Sequence, residues 1–280
     1  MSEEKTELKN RVGLFLLFLA CGLLAIGPVQ WGNIQLPMVL NTVYKIGIPL
    51  IFLVISLLLY RNERFHKFWK LFFAFFIGSM SFLVVWIISF FYSIQNTTVE
   101  GFAFNKLIEM ILIVFPILLM VKLSGDDMDS ILLKRGNIRL GLIIGVGGFI
   151  IFLLISFMGA ILLFYGTELT WQKFIIWLPW ILIFVLSNGL LEEILYRGLY
   201  FKKYRETLGF NLCNILQALI YSLMHFGAGY TSESLIFLVI TFVLGILYGY
   251  IILKTDSLIG TILFHAGTDI AIVLGIFSTL

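Results

Sequence analysis

The chain has 280 residues, 60% hydrophobic and only 12% charged, with a net charge of +3 and a mean hydropathy of +1.04. A soluble domain of this size needs far more polar surface, so the composition excludes a water-solvated globule and makes the bilayer the natural solvent. The basic residues sit in clusters between apolar runs, which suits membrane topology and not nucleic-acid binding.

Reading for stretches of about 20 apolar residues predicts nine helices. They fall at 12–30, 40–60, 69–93, 104–123, 138–165, 173–200, 209–228, 233–254 and 257–277. The first run, Val12 to Ile26, follows a charged start. Gly27-Pro28-Val29-Gln30-Trp31 comes after it in place of a small-residue cleavage site, so it reads as an uncleaved span. Cys21 and Cys213 lie inside apolar runs as small core residues, with no disulfide expected between them. Pro28, Pro49, Pro116 and Pro179 are expected to bend their helices. Gly141 and Gly145 in the fifth span, and Gly245 and Gly249 in the eighth, have the spacing of close helix–helix contacts.

Alternate connections carry the positive charge. One set holds Lys5/Lys9/Arg11, Arg61/Arg64/Lys67/Lys70, Lys122/Lys134/Arg135/Arg139, Lys202/Lys203/Arg205 and Lys254. The other holds only Lys45, Lys106 and Lys173, with none in the connection 228–233. The positive-inside rule then predicts a cytoplasmic N-terminus and an external C-terminus. The expected fold is an all-α, polytopic transmembrane bundle of about nine spans. Residues 1–172 carry no motif, and residues 173–280 form the region in which chemistry is expected.

That expectation rests on ionisable residues far from span ends, which are costly in lipid and therefore functional candidates. The sixth span holds Glu192, Glu193 and Arg197, the seventh His225, and the ninth His265 and Asp269. Helical rise puts Glu192 roughly 15 Å, His225 roughly 24 Å and His265 roughly 12 Å from the basic boundary, compatible with one shared site. Glu193 and Arg197 are four residues apart and can pair along one helix face. Glu192 points about 100° away into the bundle, with Asn188 and Tyr196 on its face as possible holders of its carboxylate. His265 with Asp269, and Tyr221 with His225, repeat the four-residue spacing.

A carboxylate in a low-dielectric pocket is a suitable general base for water. One histidine could share its proton, and a second, with Asp269, could face an oxyanion. The set suits amide hydrolysis by activated water, and the chain has no HExxH helix, Gly-x-Ser nucleophile motif or GxGD motif. A zinc site built from His225, His265 and a Glu is the metal variant, but the spacing fits no local zinc motif. A site without metal or other cofactor is the expectation.

These residues carry a resemblance. Glu192-Glu193-x-x-x-Arg197, the aromatic-x-x-x-His of Tyr221 and His225, and the His-x-x-x-Asp of His265 and Asp269 resemble the motifs of the CAAX protease and bacteriocin-processing (CPBP, or Abi) family of intramembrane glutamic peptidases. The run from Gly245 to His265 is also similar to that family's approach to its last motif. The resemblance covers roughly residues 175–275. It implies that Glu192 activates water with help from His225, that Glu193 and Arg197 support that helix, and that His265 and Asp269 line the oxyanion side. Its implied substrates are prenylated proteins or small peptide precursors. Membrane lipids are the expected surroundings, and the cell membrane the expected location. Tyr221 replaces a usual Phe. Asp269 replaces a common Asn, so it is expected to orient His265 or to carry a proton.

Simpler readings stand beside these. Glu193–Arg197 can be a structural ion pair, His66 a solvated residue of a basic loop, and Asp256 the cap of the ninth helix. At the level of function, the alternatives are a non-catalytic immunity or scaffold protein and a proton-coupled transporter.

Overall fold

The computed structural model describes residues 2–30, 37–92, 96–226, 231 and 234–280. Nine long helices account for most of them, and no strand occurs among the described residues. They are α1 (Ser2–Gln30), α2 (Met38–Arg61), α3 (Trp69–Ser89), α4 (Val99–Leu123), α5 (Ile138–Leu163), α6 (Trp171–Glu192), α7 (Phe201–Met224), α8 (Ser234–Thr255) and α9 (Ile259–Ser278). Starts are set by side chains that satisfy the first orphan amides. Thr98 accepts from Gly101 N at 3.1 Å, Asn137 from Leu140 N at 3.2 Å, and Thr170 from Lys173 N at 3.2 Å.

Eight of the nine are long and apolar enough to cross a membrane, and the chain is an integral, multi-pass membrane protein. The helix outside that set is α4, which carries Glu100, Lys106, Glu109 and Lys122. It nevertheless runs the depth of the bundle. Lys70 at the start of α3 pairs at 2.7 Å with Asp126, just past the end of α4, so the two helices are antiparallel.

The same end gathers the other even-numbered connections. Asn137 N donates to Thr255 O at 2.6 Å, Leu258 N to Leu132 O at 3.2 Å, and Lys202 Nζ to Asp129 O at 3.3 Å. At the opposite end Phe102 and Trp177, near the starts of α4 and α6, meet Phe277 near the end of α9. Among the described residues the expected alternation of connections holds at these ends; positions 31–36, 93–95 and most of 227–233 lie outside them.

Several boundaries differ from expectation. The predicted sixth span, 173–200, divides. α6 ends at Glu192, and Glu193–Gly198 form a π-helical turn in which Leu199 N reaches Ile194 O at 2.8 Å, five residues back. α7 begins earlier than predicted and bends at Gly209, whose φ of 75° takes it out of helical geometry. Asp256 does not cap α9. It has a left-handed φ of 51° and pairs with Lys134 at 2.5 Å, while Ser257 Oγ accepts from Ile259 N at 3.3 Å. His66 is exposed, as expected.

The small-residue pattern is realised as close backbone approach. A Cβ built on Gly145 of α5 would lie 2.7 Å from Gly260 O of α9, and one on Gly260 would lie 2.8 Å from Gly141 O. On α8, a Cβ at Gly245 would meet Ala218 Cα of α7 at 2.9 Å. These contacts draw α5, α7, α8 and α9 together around the π-turn that ends α6.

Candidate active site

The π-turn and α9 build the centre. Glu193, Arg197 and His265 are fully buried. Arg197 Nη1 donates to Glu193 Oε1 at 3.0 Å, the expected four-residue ion pair. The same Oε1 receives His265 Nδ1 at 2.7 Å, a contact across 72 residues of sequence. A carboxylate has only acceptors to offer an imidazole, so Nδ1 carries the proton in this hydrogen bond and Nε2 is the nitrogen presented to the site.

Three oxygens surround that Nε2. Tyr221 OH is 3.2 Å away, Glu192 Oε2 3.6 Å and Asp269 Oδ1 3.6 Å. Glu192 Oε2 is itself buried and has no hydrogen-bond partner among the described residues. Glu193 is thus paired with Arg197, Glu192 makes no hydrogen bond among the described residues, and His265 is the ring between them.

Burying an arginine demands more than one partner. Here aromatic faces supply the rest: the Arg197 guanidinium lies 4.2 Å from the Tyr221 ring centroid and 4.8 Å from that of Tyr248. Tyr248 also stacks on His265, with centroids 4.8 Å apart and planes 18° apart. Its hydroxyl lies 2.8 Å from Thr268 Oγ1, which donates to His265 O at 2.7 Å. Gly245, one turn before Tyr248 on α8, lets this wall close, because a Cβ there would also come within 3.5 Å of Arg197 Nη2.

His225 ends α7. Its Nδ1 is 2.7 Å from Tyr221 O, and its ring packs against Tyr221 and Phe237. No hydrogen bond joins it to Glu192 among the described residues.

One expectation needs correction. Asn188 does not hold Glu192; its Nδ2 donates to Asp269 Oδ2 at 2.8 Å, because α9 rather than the rest of α6 supplies the nearest acceptor. His265 is held on Nδ1 by Glu193 at 2.7 Å, with Asp269 3.6 Å from its Nε2. Tyr221 has a hydroxyl contact that a Phe would lack. Tyr248, Thr268 and the Asn188 partnership escaped the sequence reading; the hint for Tyr248 was its place between the packing glycines Gly245 and Gly249.

A cavity of about 190 Å³ adjoins this centre. Its walls are mostly apolar, with Phe152 and Ile155 of α5 and Phe237 and Leu244 of α8, and its polar lining is Ser156, Tyr221, His225, Thr241, Thr268 and Asp269. A larger cavity of about 430 Å³ between α3 and α4 touches none of the motif residues. Among the described residues, no three His, Cys, Asp or Glu side chains are grouped to hold a metal ion.

Residues 171–271 match the family model described as Type II CAAX prenyl endopeptidase Rce1-like. The CPBP resemblance read from the motifs is thereby shown for α6 to α9. The matched stretch contains every residue of the centre just described, and α1 to α5 lie outside it. The Rce1-like family is a protease family. No curated protein and no solved structure gives a significant match to the chain.

Proposed function

We propose that the chain is an intramembrane endopeptidase in which Glu192 activates water, and that α6 to α9 form its catalytic region. The observation that carries this reading is the buried Glu192 Oε2, without a hydrogen bond among the described residues and 3.6 Å from His265 Nε2, in a centre that adjoins an apolar cavity and lies within the stretch that matches a protease family.

In this mechanism a water between Glu192 and His225 gives a proton to the Glu192 carboxylate, and its oxygen attacks the scissile carbonyl carbon. Negative charge develops on the carbonyl oxygen. His265, as the imidazolium with Nδ1–H held by Glu193, offers Nε2–H to that oxygen, and the Tyr221 hydroxyl is a second donor. Collapse of the tetrahedral intermediate breaks the C–N bond, and the proton held by Glu192 passes to the leaving amine. The products are one carboxylic acid and one amine, with no covalent enzyme intermediate. Glu193 and Arg197 orient His265, and Asp269 lines the same side.

The apolar cavity fits a lipidated or strongly hydrophobic segment beside the scissile bond, so prenylated CAAX-type proteins or membrane-associated peptide precursors are the proposed substrates. The basic end of the bundle is assigned to the cytoplasm on the positive-inside rule, with the cell membrane as the location.

The test uses purified protein in liposomes with quenched fluorescent CAAX peptides, prenylated and unprenylated. Native protein should cleave the prenylated form faster, and Glu192→Gln should lower kcat about a thousandfold while the melting temperature is kept. Cleavage retained by Glu192→Gln would remove the mechanism, and absence of cleavage by the native chain would favour a binding or scaffold role. Chelator treatment should leave the rate unchanged; loss of activity restored by zinc would replace the metal-free reading.

A further inference from the structure

Glu193 holds His265 at a single nitrogen. Its Oε1 accepts from Nδ1 at 2.7 Å, and Nε2, the nitrogen offered to the site, lies off the axis of that hydrogen bond. Rotation of the ring about the Nδ1–H axis would swing Nε2–H through an arc while the hydrogen bond to Glu193 was kept. A donor that must meet a developing oxyanion needs its direction fixed beforehand. A second contact has to set the plane of the imidazole.

Tyr248 of α8 has the geometry for this. It is fully buried, and its ring stacks on His265 with centroids 4.8 Å apart and planes 18° apart. Tyr221 packs on the same imidazole at 87°, its centroid 5.8 Å away, so an edge contact and a face contact act on one ring. The Tyr248 hydroxyl reaches His265 by a second route. Thr268 Oγ1 donates its single hydrogen to His265 O at 2.7 Å. In the 2.8 Å contact between the two hydroxyls Tyr248 is therefore the donor. Ring and hydroxyl of Tyr248 are thus tied to the side chain and to the backbone carbonyl of one histidine. Tyr248 is itself held in place. Phe264 meets its ring at 76° with centroids 6.1 Å apart, and the Arg197 guanidinium lies 4.8 Å from its centroid.

We propose that Tyr248 is a positioning residue of the site, a clamp that fixes the plane of His265 so that Nε2–H points at the carbonyl oxygen of the scissile bond. Thr268 is its latch. Because Thr268 lines the apolar cavity, the latch stands in the wall against which substrate lies in the proposed mechanism. The inference rests on the peptidase reading for its activity readout. It gives α8, which supplies no acid or base to the centre, a share in the chemistry.

The experiment compares Tyr248→Leu, Tyr248→Phe, Thr268→Val and the Tyr248→Phe/Thr268→Val double variant in the full chain, in liposomes with the cleaved peptide. Tyr248→Leu removes stack and hydroxyl together. It should lower kcat about thirtyfold and leave KM within about twofold, the split expected when alignment and not binding is lost. Tyr248→Phe keeps the stack and should stay within about threefold of the native kcat. The double variant should be no slower than Thr268→Val alone, because the Tyr248 hydroxyl acts through Thr268. Losses that multiply in the double variant, a rise in KM in place of the fall in kcat, or an unchanged rate for Tyr248→Leu would overturn the proposal while leaving the Glu192 mechanism standing. If Tyr248→Leu does not fold, the cycle of Tyr248→Phe with Thr268→Val decides.

Should the native chain not cleave, histidine ring signals decide. The chain has three histidines, so histidine-labelled protein in nanodiscs gives a simple NMR spectrum, and His265→Gln identifies the His265 signals by their loss. Tyr248→Leu should move these ring protons downfield and broaden them as the ring gains freedom, and Tyr248→Phe should leave them near their native positions. Signals that stay sharp in Tyr248→Leu overturn the clamp.

Discussion

The bundle is held together in two ways. Around α1, α3 and the start of α7, bulk does the packing. Phe75 sits 5.2 Å from Phe52, 5.4 Å from Tyr200 and 6.1 Å from Tyr204, and Phe18 stacks on Tyr204 at 5.9 Å. Around α5 and α9 the packing is by absence of side chains, with Gly141 and Gly145 against Gly260. Aromatic packing spaces helices apart and tolerates repacking. Glycine contact brings backbones to a fixed separation, and α9 meets α6 in the same way, a Cβ at Gly189 falling 2.9 Å from Ile262 O, one turn from where His265 reaches Glu193 at 2.7 Å. The chemistry lies on the side where helix positions have least freedom.

The contrast can be broken most severely at its shared charge. Arg197→Met would leave Glu193 buried beside His265 without its cation and should cost about 3–5 kcal/mol, read by thermal or denaturant unfolding in detergent. A loss below about 1 kcal/mol would mean that the ion pair is expendable. The packing difference itself is tested by Gly260→Ala against Phe75→Leu. The added methyl would meet the Gly141 backbone at 2.8 Å, so Gly260→Ala should cost about 1–3 kcal/mol and lower cleavage with it. Phe75→Leu, in the aromatic region, should cost about 1 kcal/mol with cleavage kept within about twofold. The reverse ranking would erase the distinction. The smallest effect is expected at Tyr221→Phe, which keeps the ring against Arg197 and removes only the hydroxyl at His265 Nε2. It should change stability by about 1 kcal/mol or less and slow cleavage severalfold.

Much of this architecture was legible before any coordinates. Long apolar runs identify the helices because lipid leaves the backbone few alternatives. The Glu193–Arg197 pair follows from spacing within one helix, and Gly141 and Gly145 announce a close neighbour. What stayed hidden depends on distant segments meeting. Asn188 has candidate partners on its own helix, yet bonds to Asp269, 81 residues away. The π-turn at Glu193–Gly198 has no local sequence signal, since its extra residue per turn is accommodated by packing against α7 and α9.

The four-residue interval between Glu193 and Arg197 also bears on how the protein is made. Helices are synthesised in order, and His265 belongs to the last of them. When α6 first meets lipid, neither α7 nor α9 exists to shelter its charges. A glutamate and an arginine that neutralise each other within one turn let that segment be inserted before its later partners are translated. The ion pair is thus available to the nascent chain, and His265 joins a carboxylate that already has its counter-ion.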